Sequence, residues 1–369
     1  MASLMTFTGK EFNAKYPLEF VKLIKKDYLH YNFQYKCGLN VDTLPFQPTG
    51  ECLPGGLYFT ELNKLSLWLH MGIFICKVVI PDDALVYVEK CNFKANKIIL
   101  YLDNKILVED FYVWKNKDYC KLAIRQNGMA LQYMDKTEEL SRLAVEQNEF
   151  ALQHIDQTQP WAADIYKIAV RKNGMVLHFI KNPSREICVL AVLQNAFALQ
   201  HIETVPEIEE IYKIAVRKNG YTLKLVNHQT EELCKLAIKN TPHALEFVKE
   251  QTQEICKYTV RIHGYGLKYV KEQTEEICLL AVQSDGYALK FVERQTREIC
   301  EKAIQQLGTA LEFVKEQTEE LCILAVQRDG YALKFVKTQT EKICKLAVRQ
   351  SSDALEFVNP EFNKCFSVY

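Results

Sequence analysis

Thr274-Glu-Glu-Ile-Cys-Leu-Leu-Ala-Val-Gln-Ser-Asp-Gly-Tyr-Ala-Leu-Lys-Phe-Val-Glu-Arg-Gln295 is one copy of a unit that recurs down the last two-thirds of the chain. Its most regular mark is an apolar triplet centred on a small residue. That centre falls at Ala123, Ala144, Ala169, Ala191, Ala215, Ala237, Thr259, Ala281, Ala303, Ala325 and Ala347. From Ala215 onward the step is 22 residues each time. A fixed period of this size is the mark of a solenoid.

The unit reads as two helical halves. Thr274 is an N-cap whose hydroxyl can accept from the first turn, and Glu275 and Glu276 sit where the helix dipole favours acids. Ile277, Cys278, Leu280, Ala281 and Val282 form an apolar arc at i, i+3, i+4 spacing. Gly286 is expected to end this helix in the left-handed C′ conformation. Tyr287, Ala288, Leu289, Phe291 and Val292 then predict a second, shorter amphipathic helix. Isolated helices this short are marginal in water, so stacking of neighbouring copies must bury their apolar faces.

Composition narrows the class. The 369 residues carry a formal net charge of zero, which argues against a nucleic-acid partner recruited by bulk charge. No apolar run reaches the ~18–20 residues that span a bilayer. The first ten residues lack the apolar core of a signal peptide, so an intracellular setting is expected. Cys120, Cys188, Cys234, Cys256, Cys278, Cys300, Cys322 and Cys344 share one slot of the repeat, and no Cys-x-x-Cys occurs. Equivalent slots lie about 10 Å apart at helix-packing distance, too far for disulfides. Reduced, buried cysteines are expected, with no metal and no cofactor.

Residues 1–110 do not show the repeat and predict a small α+β domain. Residues 19–25 read as a short helix. Pro45, Pro48, Gly50 and Pro54 mark a loop, 55–60 a strand and 61–70 a helix. Residues 73–80, rich in β-branched side chains, 84–89 and 97–101 read as further strands. Residues 111–358 predict an α-solenoid of eleven hairpins, so helix should exceed half the chain, and 359–369 a C-terminal end-piece. The early copies are irregular. Pro160 and Trp161 fall in one long step and Pro206 in another; both are expected to lengthen the loop before a helix. Thr259 in place of alanine, with Tyr258 before it, and Lys302 in place of leucine depart from the pattern.

The Cys-Lys-Leu-Ala-Val … Asn/Asp-Gly-Tyr-Ala-Leu-Lys-Phe-Val pattern resembles the helical repeats of unknown function found in giant DNA viruses of amoebae and some amoeba-associated bacteria. The resemblance covers residues 112–358. Gly55-Gly-Leu-Tyr-Phe-Thr60 and Val79-Ile-Pro-Asp-Asp-Ala-Leu-Val-Tyr-Val-Glu89 look like the module placed before ankyrin or other repeats in mimivirus-like proteins. The resemblance implies a viral protein acting in the host cytoplasm or with the virion, and supplies no activity.

Function is therefore expected to be non-enzymatic: a scaffold for a protein partner. The outward slot of the second half carries Lys224, Glu246, Lys268, Lys290, Glu312, Lys334 and Glu356, charges free to encode that partner. The i, i+4 pairs such as Lys121/Arg125, Lys167/Arg171, Lys213/Arg217 and Lys257/Arg261 could track phosphates, but acid-first, base-last charge is also what helix dipoles favour. His154 and His201 occupy the slot of Phe291 and read as packing residues rather than ligands. The alternative function rests on a second resemblance. His30, Tyr35, Gly38 and Gly55-Gly-Leu-Tyr-Phe-Thr60 resemble the motifs around the nicotinamide pocket of ADP-ribosyltransferase folds, which implies NAD chemistry targeted by the solenoid and places no acidic catalytic residue. Finally, no Gly/Ser/Pro-rich linker precedes the repeats. Phe111 and Trp114 are the expected junction at which the N-terminal domain docks and caps the stack.

Overall fold

The protein is described by a computed structural model over residues 6–48 and 53–366. Gly50, Met1–Met5 and Ser367–Tyr369, which the sequence reading assigned to a loop and the two ends, lie outside the described residues. The chain divides into two compact units, residues 1–194 and 195–369.

The first unit opens on a sheet domain. Its strands are Thr6–Thr8 (β1), Phe20–Ile24 (β2), Leu29–His30 (β3), Phe33–Gln34 (β4), Gly38–Val41 (β5), Leu57–Glu61 (β6), Phe74–Val79 (β7), Leu85–Val88 (β8), Phe93–Ala95 (β9), Lys97–Leu100 (β10) and Ile106–Leu107 (β11). The main sheet runs β1-β8-β9-β6-β2-β7-β10-β5, with β11 on β7, and its recorded pairings are antiparallel. The core centres on Phe12, Phe20, Phe59 and Phe93, whose rings meet at centroid distances of 5.1–6.0 Å.

Strands β6, β7, β8 and β10 fall where the sequence predicts them. Residues 19–25 do not form the expected helix. They are strand β2, between β6 and β7 in the middle of the sheet, and all five strand residues are buried. Phe20, Leu23 and Ile24 fit a helical stripe as well as a strand buried on both faces, and periodicity cannot separate the two. Residues Gly9–Lys15 form a helix that the sequence reading omits; Thr8 and Glu11 close a capping box at its start. The helix expected at 61–70 is a 3₁₀ helix, Leu62–Met71.

The repeats follow. In the first unit, α-helices Lys117–Gln126, Glu138–Gln147, Ala162–Lys172 and Arg185–Gln194 alternate with six-residue 3₁₀ helices. In the second unit the same alternation runs from Ala196–His201 to Ser352–Phe357, followed by Pro360–Cys365. With 59% of residues helical, this is an α-solenoid array preceded by an α+β domain. The threonine caps form as expected: Thr274 Oγ1 accepts from Ile277 N at 3.3 Å.

Two details of the repeat differ from expectation. The second half is a 3₁₀ helix, Gly286–Phe291, opened by Asp285, whose side chain accepts from Tyr287 N. Six residues give a 3₁₀ segment its closing bonds where an α-helix would barely begin. Gly286 is not left-handed, since positive φ among glycines occurs at Gly38, Gly55 and Gly56. Its role is close approach. A Cβ there would meet Leu307 Cβ of the next copy at 2.7 Å and Ala303 O at 2.9 Å.

Copies are joined by a side chain that periodicity alone does not flag. Gln273 Nε2 donates to Phe291 O at 2.8 Å, and its Oε1 accepts from Glu293 N at 3.0 Å. Gln229, Gln251, Gln295, Gln317 and Gln339 repeat both bonds to the following copy. The cysteine slot lies against the same amide: Cys278 Sγ is 3.6 Å from Gln273 Oε1. Burial pushes the Cys278 and Cys234 thiols up to about 11, so they stay protonated near neutral pH.

Candidate functional site

Residues i and i+3 of a 3₁₀ helix eclipse one another. The residue after the repeat glycine therefore shares a face with the charged slot three residues on, pairing Tyr221 with Lys224, Tyr265 with Lys268, Tyr287 with Lys290 and Tyr331 with Lys334. These four tyrosines are exposed, Tyr287 by half. Each leans edge-on against the aromatic slot of the next copy: Tyr221 on Phe247 at 5.9 Å, Tyr265 on Phe291 at 4.8 Å, Tyr287 on Phe313 at 5.8 Å and Tyr331 on Phe357 at 4.9 Å. His243 takes the tyrosine position in its copy, 5.0 Å from Tyr269.

All seven charged positions singled out from the sequence are exposed on this face. Its lysines rest on rings. Lys224 Nζ is 5.5 Å from the centroid of Phe197, Lys268 5.5 Å from Tyr269, Lys290 5.9 Å from Phe313 and Lys334 5.8 Å from Phe357. Each contact draws the ammonium toward the negative face of the ring. Glu246, Glu312 and Glu356 interrupt the row with the opposite sign. The result is an aromatic ridge of the second unit that carries charges of both signs. The sequence reading found the charges and missed the tyrosines, whose signal was their constant place after the glycine.

The basic pairs on the α-helices are engaged elsewhere. Lys121, Lys167, Lys213 and Lys257 reach Glu139, Glu186, Glu232 and Glu276 at the start of the next helix, at 2.5, 2.9, 3.4 and 2.7 Å. His154 belongs to the first unit and His201 to the second. Both are half-buried, and burial lowers the pKa of His154. Among the described residues no cluster of three or more His, Cys, Asp or Glu could hold a metal. No helix of the described residues is long and apolar enough to cross a membrane.

Phe111 and Trp114 are buried. Trp114 stacks on Tyr133 of the first hairpin at 5.5 Å, and its Nε1 donates to Val108 O at 2.6 Å. Polar contacts between the sheet domain and the first hairpin come from the helix Lys117–Gln126 and the asparagine after it. Tyr119 OH donates to Leu62 O at 2.9 Å, Gln126 Nε2 to Asn63 O at 3.0 Å and Asn127 Nδ2 to Ser66 O at 2.8 Å.

The sheet domain holds a cavity of about 480 Å³. His30, Tyr35, Gly55 and Tyr58, grouped from sequence, all line it, and Gly38 does not. Strand β2 adds Lys22, which the sequence alone does not single out. Lys22 Nζ donates to Tyr58 O at 2.6 Å and sits 4.5 Å from the Tyr35 ring centroid. Burial pulls its pKa down to about 7. Burial, with Lys22 nearby, lowers His30 to about 4. His30 Nε2 donates to Met71 O at 2.7 Å, so the ring is neutral with its proton on Nε2. Burial also raises the Tyr35 hydroxyl well above its usual range. Asp42 is the one carboxylate among the described lining residues, and its oxygens accept the backbone amides of Leu44 and Gly56.

Comparison with known proteins adds the kinship. Residues 274–317 match the family described as "Domain of unknown function (DUF4116)". "Putative ankyrin repeat protein R868" of Acanthamoeba polyphaga mimivirus is 39% identical over 17% of this chain and 33% of its own length. "Putative ankyrin repeat protein R229" of the same virus is 30% identical over 23% of this chain and 30% of its own. The chain thus spans about a third of the length of those two relatives. No solved structure matches. "Uncharacterized protein R869" of Acanthamoeba polyphaga mimivirus is 36% identical over 27% of this chain and 74% of its own length, and with that share aligned the chain belongs to the family of this giant-virus protein.

Proposed function

We propose that the protein is a non-enzymatic scaffold that binds a partner protein along the aromatic ridge of the second unit, in a virus-infected cell. The observation that carries this reading is the row of exposed tyrosines, Tyr221, Tyr265, Tyr287 and Tyr331, each backed by an aromatic ring of the next copy. Exposed aromatics held rigid lose little entropy on binding and anchor interfaces. The lysines and glutamates beside them set which partner fits. Two relatives named as ankyrin repeat proteins support a binding role, since stacked repeats present extended binding surfaces. The test is capture from infected amoebal cells by the full chain and by a Tyr265→Ser/Tyr287→Ser/Tyr331→Ser variant with unchanged circular dichroism. A defined protein retained by the parent and lost by the variant is expected. Equal capture by both would move the site elsewhere.

A second reading, NAD-dependent ADP-ribosyl transfer, is favoured by one observation: His30, Tyr35 and Tyr58 share a cavity wall. Incubation with labelled NAD decides it. Label transfer abolished by His30→Ala would replace the scaffold-only reading.

A further inference from the structure

We propose that the cavity of the sheet domain is a binding site for a small planar aromatic carboxylate, anchored by Lys22 and the Trp68 indole. The proposal goes beyond the scaffold reading and uses no part of it. Lys22 is 5% exposed, and its hydrogen bond to Tyr58 O leaves further N–H groups without an acceptor among the described residues. Among the described residues no carboxylate lies within ion-pair distance of it. The lining carboxylate, Asp42, is already engaged by two backbone amides. A buried cation without an anion is costly to the fold, and a ligand carboxylate supplies the missing charge.

Trp68 adds a second donor. It is among the residues that line the same cavity, and its Nε1 is buried with no acceptor among the described residues. Buried donors normally find partners. Four flat rings stand among the other lining residues, beside aliphatic ones such as Leu44, Leu53 and Met71: Tyr35 beneath the Lys22 ammonium, Phe33, Tyr58 and the neutral His30 imidazole. Such walls select a planar aromatic body over a puckered aliphatic one. At about 480 Å³ the space is of the size that encloses small ligands. Unpaired donors with no free carboxylate opposite them among the described lining residues favour an anionic oxygen over an amide.

Isothermal titration of the full chain in slightly acidic buffer tests this, using benzoate, its neutral isostere benzamide and the puckered cyclohexanecarboxylate. Benzoate is expected to bind at about 1 mM or tighter. Benzamide and cyclohexanecarboxylate should each bind at least about tenfold more weakly, and Lys22→Met should weaken benzoate by about tenfold or more. Trp68→Phe should weaken it several-fold. Equal or tighter binding of benzamide would overturn the proposal and point to a carboxamide ligand instead. Absence of benzoate binding, or its full retention in Lys22→Met, would overturn it too. If Lys22→Met does not fold, the benzoate-to-benzamide ratio on the parent chain and the Trp68→Phe titration decide.

Discussion

Ser66 Oγ donates to Gln126 Oε1 at 2.6 Å. Along the repeats the same glutamine slot accepts a glycine amide of the preceding copy: Gln147 from Gly128 at 2.7 Å, Gln306 from Gly286 at 2.8 Å and Gln350 from Gly330 at 2.6 Å. The 3₁₀ helix Leu62–Met71 therefore meets the first hairpin through the same glutamine acceptor, with a serine hydroxyl in place of the glycine amide. This is an imitation of a repeat by a domain that has none of its sequence, and it supports a capping role for the sheet domain.

If the domain caps the stack, Ser66→Ala should destabilise the protein by about 1 kcal/mol, because Gln126 Oε1 loses its donor in a partly buried place. A fragment beginning near residue 105 should aggregate, since an uncapped repeat exposes its apolar face. Thermal melts and light scattering check both. A soluble, monomeric fragment as heat-stable as the full chain would refute the capping role.

Thr259 and Gly266 compensate one another. Most other copies carry alanine at both places, as in Ala281 with Ala288 and Ala303 with Ala310. Here a Cβ on residue 266 would lie 2.6 Å from Thr259 Cγ2, so the threonine methyl fills the space the glycine leaves. Gly266→Ala alone should cost about 1–3 kcal/mol by overpacking, and Thr259→Ala alone about 1 kcal/mol by the gap it leaves. The double variant should lie close to the parent, a coupling of at least about 1 kcal/mol. Urea unfolding of the four proteins measures it, and additive losses would contradict the packing argument.

Gln273→Ala removes two bonds between neighbouring copies, to Phe291 O and from Glu293 N. Leaving partly buried backbone groups unpaired is expected to cost about 1–3 kcal/mol. Because repeat stability is carried by nearest-neighbour terms, the loss should be local. Hydrogen exchange should quicken around residues 285–295 and leave the sheet domain unchanged.

The repeat was legible in sequence because one period carries cap, apolar arc and turn together. Thr274, Ala281 and Leu289 do the same work in the structure as in the reading. The 3₁₀ geometry was less legible, because six residues from Gly286 to Phe291 satisfy either helical period. The sheet domain was harder still. Phe20, Leu23 and Ile24 allow a helix or a fully buried strand, and choosing the helix hid Lys22 from view. Nor could sequence bring Trp68 to the same cavity as His30, since that depends on how the strands pair. The tyrosine ridge could have been found: Tyr221, Tyr265, Tyr287 and Tyr331 stand at one repeat position, and their pairing with the lysines needs only the three-residue period.

Lys22 also makes a prediction about pH. Burial lowers its pKa from 10.5 to about 7, so the folded state disfavours the charged amine while the unfolded chain does not. This burden is absent above the unfolded value, grows as pH falls from about 10.5 to about 7, and is complete below 7. Lys22→Met keeps the length of the side chain without the charge. It gives up the bond to Tyr58 O, which offsets about 1 kcal/mol of the gain. The variant should therefore be more stable than the parent by about 1–3 kcal/mol near neutral pH, and the gap should close toward pH 10. Urea unfolding of both proteins between about pH 6 and pH 10 measures it. A gap that is constant across this range, or a variant weaker than the parent at neutral pH, would mean that the Lys22 ammonium is already compensated in the fold.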